Sequence, residues 1–219
     1  MSSSNSFAPS SLKQRAYEEI KQRILSGRLA PGGLLSERQL AAELKMSKTP
    51  VHAALERLEV DGLVTVAAQQ GVVVREATPG DVTDFFEFRQ AMEPFVVGRI
   101  AGRLSADQKT SLDRNLSANR QAVLAADMEA NVQFDAEFHL LLCEFLGNRE
   151  ILRVMRQVQE KVHRVIYQIS TRSPSRMDVS LAEHEAIAQA ILSGDACSAS
   201  ERMVEHLRNG LRLLYQPED

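Results

Sequence analysis

The sequence predicts a mainly α-helical protein with one small β-hairpin. Apolar residues recur at helical spacing over most of the 219 residues, and capping residues or glycines separate the periodic stretches. Aromatic residues make up 5% of the chain and tryptophan is absent, which favours helices over a β-sandwich. Two short runs, at 63–66 and 72–75, have the composition of strands and flank a glycine, which is typical of a hairpin.

The bulk composition argues against a secreted or membrane-spanning protein. Cys143 and Cys197 lie in helical patterns and provide no disulfide framework, which fits a reducing compartment. The chain has no apolar run of about 18 residues, and its serine-rich start is not a signal peptide. We therefore expect a cytoplasmic protein with a disordered leader over residues 1–11.

The charge is distributed unevenly. The net charge of the chain is −3, but residues 1–78 carry ten basic against eight acidic side chains, a net of +2. Residues 79–219 carry 16 basic against 21 acidic side chains, a net of −5. A mildly basic first third on an acidic remainder suits a nucleic-acid-binding head on a regulatory body, although chance could produce a difference of this size.

Residues 36–58 predict two short helices joined by a tight turn. Ser36 and Gln39 form a capping-box pattern that begins the first helix at residue 37, the turn falls at 45–46, and Ser47 can cap the second helix. The second helix has an apolar stripe with i, i+3, i+4, i+7 spacing, made of Val51, Ala54, Leu55 and Leu58. Small and basic residues at its N-terminal end are typical of a helix-turn-helix that reads DNA.

The flanking segments extend this motif into a winged helix-turn-helix over residues 12–76. A helix at 12–27 precedes the motif, with a turn-rich connector over 27–35. The predicted hairpin follows it and supplies the wing.

Five linked phrases in this region resemble the GntR family of bacterial regulators: Gly27…Leu29-Ala30-Pro31-Gly32, Leu34-Leu35-Ser36-Glu37-Arg38-Gln39-Leu40-Ala41, Ser47-Lys48-Thr49-Pro50-Val51, Leu55-Glu56-Arg57-Leu58 and Asp61-Gly62-Leu63-Val64. The resemblance implies that the DNA-binding residues are Arg38, Lys48, Thr49, His52, Gln70 and Gly71. Two of these depart from the family, which usually has arginine where Lys48 and His52 stand. Because Lys and neutral His cannot offer the arginine fork to guanine, we expect an altered base preference. The alternative for Arg38 is a surface ion pair.

Residues 79–216 predict a second, all-helical domain. Six helices are expected at 79–102, 105–126, 128–146, 149–171, 178–193 and 195–215. This order resembles the FadR-type effector domain called FCD, an antiparallel helical bundle. With six helices rather than seven, the domain resembles the VanR-like subgroup of FCD domains.

Asp135, His139, His184 and His206 form the second candidate site. Asp135 and His139 share one helix face, and the other two histidines lie on apolar stripes of later helices. Three imidazoles and a carboxylate suit a divalent ion such as Zn²⁺, Ni²⁺ or Mn²⁺. From spacing alone, they could equally be core histidines without a metal. The resemblance to the family's metal motif implies that these four residues are the ligands.

The resemblance also suggests effector-binding residues, Arg89 and Asn148. A buried guanidinium can grip the carboxylate of an organic acid, and open positions on a metal could take the same effector. The alternatives are an i, i+4 ion pair of Arg89 with Glu93, and helix capping by Asn148.

We expect a homodimeric transcription regulator, not an enzyme. Two winged helices would bind half-sites of a near-palindromic operator in double-stranded DNA, under control of a small carboxylate or hydroxy-acid effector. A DNA-binding protein with a purely structural metal, or a metalloenzyme, are the alternatives.

Overall fold

A computed structural model describes residues 11–67, 71–76, 78–159 and 176–215, and divides the chain into two compact units between residues 76 and 77. Each unit has its own hydrophobic core. Apart from Ser11, the predicted leader lies outside the described residues, as do Gln70 and the far end of the helix expected at 149–171.

The first unit is the predicted winged helix. Its elements are α1 (Leu12–Leu25), β1 (Leu34–Leu35), α2 (Glu37–Leu44), α3 (Lys48–Val60), β2 (Val64–Ala67) and β3 (Gly71–Val74). The three strands form an antiparallel sheet in the order β1-β3-β2. The core of this unit joins α1, the apolar stripe of α3 and the inward side chains of the strands.

Local sequence signals account for most helix ends in this unit. Ser11 caps α1, and the Ser36 hydroxyl accepts a hydrogen bond from the Gln39 amide as predicted. Lys45 ends α2 in the left-handed conformation, with φ of 53°. Ser47 precedes α3 in an extended conformation, but its side chain makes no capping hydrogen bond, so that part of the prediction was wrong.

Strand β1 corrects the prediction of a connector over 27–35. Leu34 and Leu35 pair with Val73 and Val72 of β3, and Leu35 is buried while Leu34 is exposed. A strand of two residues is too short to show an alternating pattern, so the sequence predicts only a connector at these positions. Gly71 begins β3 with φ of +100°, a conformation that favours glycine.

The second unit is the predicted helical bundle. Its helices are α4 (Pro79–Ile100), α5 (Ala106–Leu124), α6 (Met128–Leu146), α7 (described over 149–159), α8 (Arg176–Ser193) and α9 (Ala196–Tyr215). Capping boxes begin two of these helices, α4 at Thr78 with Asp81 and α5 at Ser105 with Gln108. The described helices thus follow the predicted order, whereas membership of the VanR-like subgroup stays a prediction.

Helices α4 and α9 pack closely through small residues. A methyl group at Gly210 would approach a Phe86 ring carbon to 3.0 Å, and one at Gly98 would meet the Ser200 hydroxyl at 2.9 Å. The Ser200 hydroxyl also donates to the carbonyl of Pro94 inside α4. This close contact brings the polar inner faces of α4 and α9 toward α6 and α8. None of the described helices is both long and apolar enough to span a bilayer.

Candidate metal centre and nucleic-acid interface

The structure brings together the four residues predicted as metal ligands. Asp135 and His139 come from α6, His184 from α8 and His206 from α9, and all four are buried. One ligand atom from each lies within 4.8 Å of the other three. The Nε2 atom of His206 lies 3.2 Å from that of His139 and 3.2 Å from that of His184. The Asp135 carboxylate completes the cluster, with Oδ1 3.5 Å from His184 Nε2.

Neighbouring carboxylates decide which nitrogen of two histidines carries the proton. His139 Nδ1 lies 2.5 Å from Glu93 Oε2, and His206 Nδ1 lies 2.7 Å from Glu183 Oε2. A carboxylate only accepts hydrogen bonds, so each Nδ1 must donate. In their neutral forms, both rings therefore direct the lone pair of Nε2 into the cluster.

The donor set fits a divalent cation. Two Nε2 lone pairs that face each other at 3.2 Å repel unless a proton or a cation lies between the rings. Three imidazole nitrogens and one carboxylate oxygen match borderline divalent ions such as Zn²⁺, and four protein ligands leave further positions open in an octahedral site. The buried cluster is thus compatible with metal binding.

Packing and hydrogen bonds hold the ligands from outside the cluster. The His184 ring stacks on Phe138, with ring centroids 4.1 Å apart and planes at 16°. The Ser180 hydroxyl donates to Asp135 Oδ1 at 3.0 Å. Asn209 donates to the second oxygen of Glu183 at 2.8 Å. Such outer contacts fix the orientation of metal ligands.

The sequence analysis missed the roles of Glu93 and Glu183. The sequence predicts Glu93 only as an i, i+4 ion-pair partner of Arg89, because the contact of Glu93 with His139 joins residues 46 positions apart. Glu183 is adjacent to the ligand His184, but nothing in the sequence shows that it faces His206 instead. A search for carboxylates beside each predicted ligand would have found Glu183 and missed Glu93.

The electrostatics of the centre are dominated by burial and by Glu93. Burial alone raises the pKa of Glu93, but the charges of Arg89 and His139 and their hydrogen bonds outweigh it and lower this pKa to about 2. Burial lowers the pKa of His206, against the opposing effect of the hydrogen bond that His206 donates to Glu183. Glu93 is therefore a charged carboxylate, and His206 favours the neutral form that binds metals.

Arg89 is buried rather than on the helix surface. Its Nε lies 2.5 Å from Glu93 Oε1, so the i, i+4 ion pair exists, but Arg89 and Glu93 are only 3% and 1% exposed. The pair is buried because α4 turns this face toward α6. Arg89 Nη2 has no hydrogen-bond partner among the described residues.

A small cavity lies beside Arg89. Its described lining comprises Phe85, Arg89, Ala136, His139, Leu140, Met155 and Gln159. The cavity measures about 10 Å³, which is room for about one water molecule. It therefore places the Arg89 guanidinium and the predicted metal ligand His139 on the walls of the same space.

Asn148 caps α7. Its Oδ1 accepts hydrogen bonds from the backbone amides of Glu150 and Ile151, at 3.0 and 3.1 Å. The capping alternative therefore explains its position, and a contact with an effector stays a prediction.

Four of the residues predicted to bind DNA are exposed in the first unit. Lys48, Thr49 and His52 lie in the first turns of α3, and Arg38 lies in the first turn of α2. Arg38 and Lys48 form no ion pair with another described residue. Gly71 begins β3 and is exposed. The structure thus leaves this surface open to a polyanion.

His52 is held by two carboxylates. Its Nδ1 lies 2.8 Å from Glu37 Oε1 and its Nε2 lies 3.5 Å from Glu56 Oε1. The hydrogen bond to Glu37, and then the charges of Glu37 and Glu56, raise the pKa of His52. Arg57 faces elsewhere, because it donates to Gln14 and its guanidinium lies 3.9 Å from the centre of the Tyr17 ring.

A winged helix joined to a helical bundle with a buried polar centre defines a bacterial transcription regulator of two domains. Comparison with known families agrees with this class: the pattern for bacterial regulatory proteins of the gntR family matches residues 12–74, and the FCD domain matches residues 84–209. The chain belongs to the GntR family, in the group whose regulatory domain is FCD. Regulators of this family bind DNA, and FCD is an effector-binding domain.

Curated relatives and solved structures support this assignment. The chain is 26% identical to the transcriptional repressor RspR of Escherichia coli K12, over 90% of this chain and 86% of that protein. It is 30% identical to a helix-turn-helix regulator from an unstable DNA locus of Streptomyces ambofaciens, over 88% and 80%. Escherichia coli McbR/YncC has the same fold, with a TM-score of 0.82 at 22% identity, covering 95% of this chain and 99% of that one.

Proposed function

We propose that this regulator binds one divalent metal ion through Asp135, His139, His184 and His206, and that a small carboxylate or hydroxy-acid effector controls its binding to DNA. The observation that carries the proposal is the convergence of three imidazoles and a carboxylate, in which two of the imidazoles, His139 and His206, keep their proton on Nδ1 and turn Nε2 toward the cluster. Zn²⁺, Ni²⁺ and Mn²⁺ are the candidate ions.

The effector site is proposed to lie beside the metal centre. Arg89 offers an unpaired donor, Nη2, in the cavity that His139 also lines. A carboxylate placed there would pair with the guanidinium and reach the open positions on the ion. Because the present cavity holds about one water molecule, entry of an organic acid requires its walls to move apart.

The DNA-binding surface is proposed to comprise Arg38, Lys48, Thr49, His52 and the wing at Gln70 and Gly71. The residues at the start of α3 would contact base edges in the major groove, and the basic residues would neutralise phosphates. A homodimer would place two such units on the half-sites of a near-palindromic operator. The chromosome is in the cytoplasm of a bacterium, and we place the protein there.

The effector would act by population shift. An acid that binds better to one arrangement of the protein favours that arrangement, and operator affinity changes accordingly. A purely structural metal is the second candidate, since the same buried cluster would also stabilise the bundle. A metalloenzyme is disfavoured because the similar proteins are transcription regulators.

A thermal-shift screen of small organic acids tests the proposal. The purified protein is heated with each acid, once loaded with Zn²⁺ and once after treatment with a chelator. We expect at least one acid to raise the melting temperature of the metal-loaded protein only, since binding to the native state stabilises it. The same acid should change operator affinity in a gel-shift titration. Stabilisation by Zn²⁺ with no response to any acid would support the structural metal instead.

A further inference from the structure

We infer that Glu93 is a positioning residue of the metal centre: held by Arg89, it keeps the His139 proton on Nδ1 and so presents the Nε2 lone pair to the ion. The inference rests on the proposed metal site. It adds a chain of contacts, Arg89 to Glu93 to His139, that reaches the ligand from α4, a helix that supplies no ligand itself.

Each oxygen of the Glu93 carboxylate makes one contact of this series. Glu93 Oε1 accepts from Arg89 Nε at 2.5 Å, and Glu93 Oε2 lies 2.5 Å from His139 Nδ1. Arg89, Glu93 and His139 are 3%, 1% and 4% exposed, so water does not compete for either contact. The two contacts fix the carboxylate in position, and the carboxylate fixes the plane of the His139 ring.

A carboxylate beside Nδ1 fixes the tautomer of His139, which an amide cannot do. Because it has no proton to donate, only the Nδ1–H form of His139 satisfies it. A glutamine could turn its NH₂ group toward Nδ1, which would leave the proton on Nε2 and block metal binding. Arg89 makes the buried charge of Glu93 tolerable, since an unpaired carboxylate in the core is strongly unfavourable.

The test compares the Zn²⁺ affinity of four proteins by competition with a chromophoric chelator. They are wild type, Glu93→Gln, the double variant Arg89→Met with Glu93→Gln, and Glu144→Gln. Glu144 is the matched control, because it lies on α6 with His139 but pairs with Arg156 on the surface. The double variant removes both charges, so it leaves no buried arginine unpaired if the single variant folds poorly.

We expect both Glu93 variants to bind Zn²⁺ about 10- to 100-fold more weakly than wild type, the range found when an outer partner of a metal ligand is lost. Glu144→Gln should stay within about twofold. Wild-type affinity in a folded Glu93→Gln or double variant overturns the inference.

The ring nitrogens provide a second readout that a merely structural role would not change. In metal-free wild type, ¹⁵N chemical shifts should show His139 protonated on Nδ1, and the double variant should lose this preference. The His139 signals are assigned by their loss in His139→Gln. A proton on Nε2 in wild type contradicts the inference. If wild type binds no Zn²⁺, the proposed metal site fails, while the chemical shifts still decide whether Glu93 sets the tautomer.

Discussion

His139 and His206 bring their Nε2 atoms to 3.2 Å, while each ring hydrogen-bonds a different glutamate through Nδ1. The carboxylates of Glu93 and Glu183 thus direct two lone pairs toward one point. A cation between the rings would convert this repulsion into two coordination bonds. The relationship connects four helices of the bundle, since Glu93 joins α4 to α6 and Glu183 joins α8 to α9.

Lys48→Ala should weaken operator binding with little change in thermal stability. Lys48 is exposed at the start of α3 and forms no ion pair with another described residue, so its loss removes one positive charge from the surface proposed to bind DNA. The slope of log affinity against log salt should fall in magnitude by about 0.9 if the contact is to a phosphate. Gel-shift titrations at several salt concentrations measure both quantities.

Lys109→Ala is the matched control for charge. Lys109 is exposed on α5 in the other unit, and its loss should leave both affinity and salt slope unchanged. An equal loss of affinity in the two variants would show that overall charge, not the position of Lys48, matters.

Operator affinity should fall as the pH rises through the raised pKa of His52. The contact with Glu37, followed by the charges of Glu37 and Glu56, places this pKa above the ordinary value of 6.5. The ion pair is therefore fully formed below pH 6.5, and its stabilisation of the fold is lost as the pH rises through the shifted pKa. The protonated ring adds a positive charge for DNA, so affinity should follow the same curve.

Gel shifts at fixed ionic strength between pH 6 and pH 9, roughly the range in which histidine titrates, measure this effect. His52→Gln should flatten the profile. Glu37→Gln should move its midpoint to lower pH, because the main cause of the raised pKa is removed. A profile that His52→Gln leaves unchanged would assign the pH dependence to another group.

Arg89→Met should destabilise the helical unit by about 3–5 kcal/mol, because it leaves the buried carboxylate of Glu93 without its guanidinium. Adding Glu93→Gln should recover part of this loss, since a neutral pair of residues leaves no unpaired charge in the core. Urea unfolding of the two variants and of wild type provides the comparison. Equal stability of wild type and Arg89→Met would place the ion pair at the surface, against the structure.

Arg89→Lys should weaken the response to the organic-acid effector by about tenfold while the protein stays folded. Lysine keeps a positive charge opposite Glu93 but lacks the planar fork that offers Nη2 to a second carboxylate. Loss of one hydrogen bond to a charged group costs about 1.5–3 kcal/mol. Effector titration by thermal shift, using an acid found in the screen, gives the result. An unaltered titration would restrict Arg89 to its role beside Glu93.

Sequence reasoning predicted the elements whose signals are local. The capping pairs Thr78–Asp81 and Ser105–Gln108 begin helices where expected, because such caps depend on residues three positions apart. The four predicted ligands lie together because each stands on an apolar helix face that had to point into the bundle.

Contacts between distant segments could not be predicted in this way. Strand β1 exists because Leu34 and Leu35 pair with β3, about 38 residues later in the chain, and two residues carry no pattern of their own. Glu93 reaches His139 across 46 positions, and only the packing of α4 on α6 makes the contact. Its i, i+4 pairing with Arg89 could be predicted, but the burial of the pair could not, because the spacing says nothing about burial.

Elemental analysis of the purified protein, with and without His184→Ala, tests the central claim most directly. His184 is fully buried with Nε2 aimed at His206 and Asp135, so its loss removes a ligand from the middle of the cluster. Circular dichroism confirms that the variant is folded, and His52→Ala, which changes a histidine outside the centre, is the control. We predict about one divalent ion per chain in wild type and His52→Ala, and strongly reduced metal in His184→Ala. The central claim is contradicted if wild type retains no metal after reconstitution with Zn²⁺. It is also contradicted if wild type and folded His184→Ala contain equal amounts of metal.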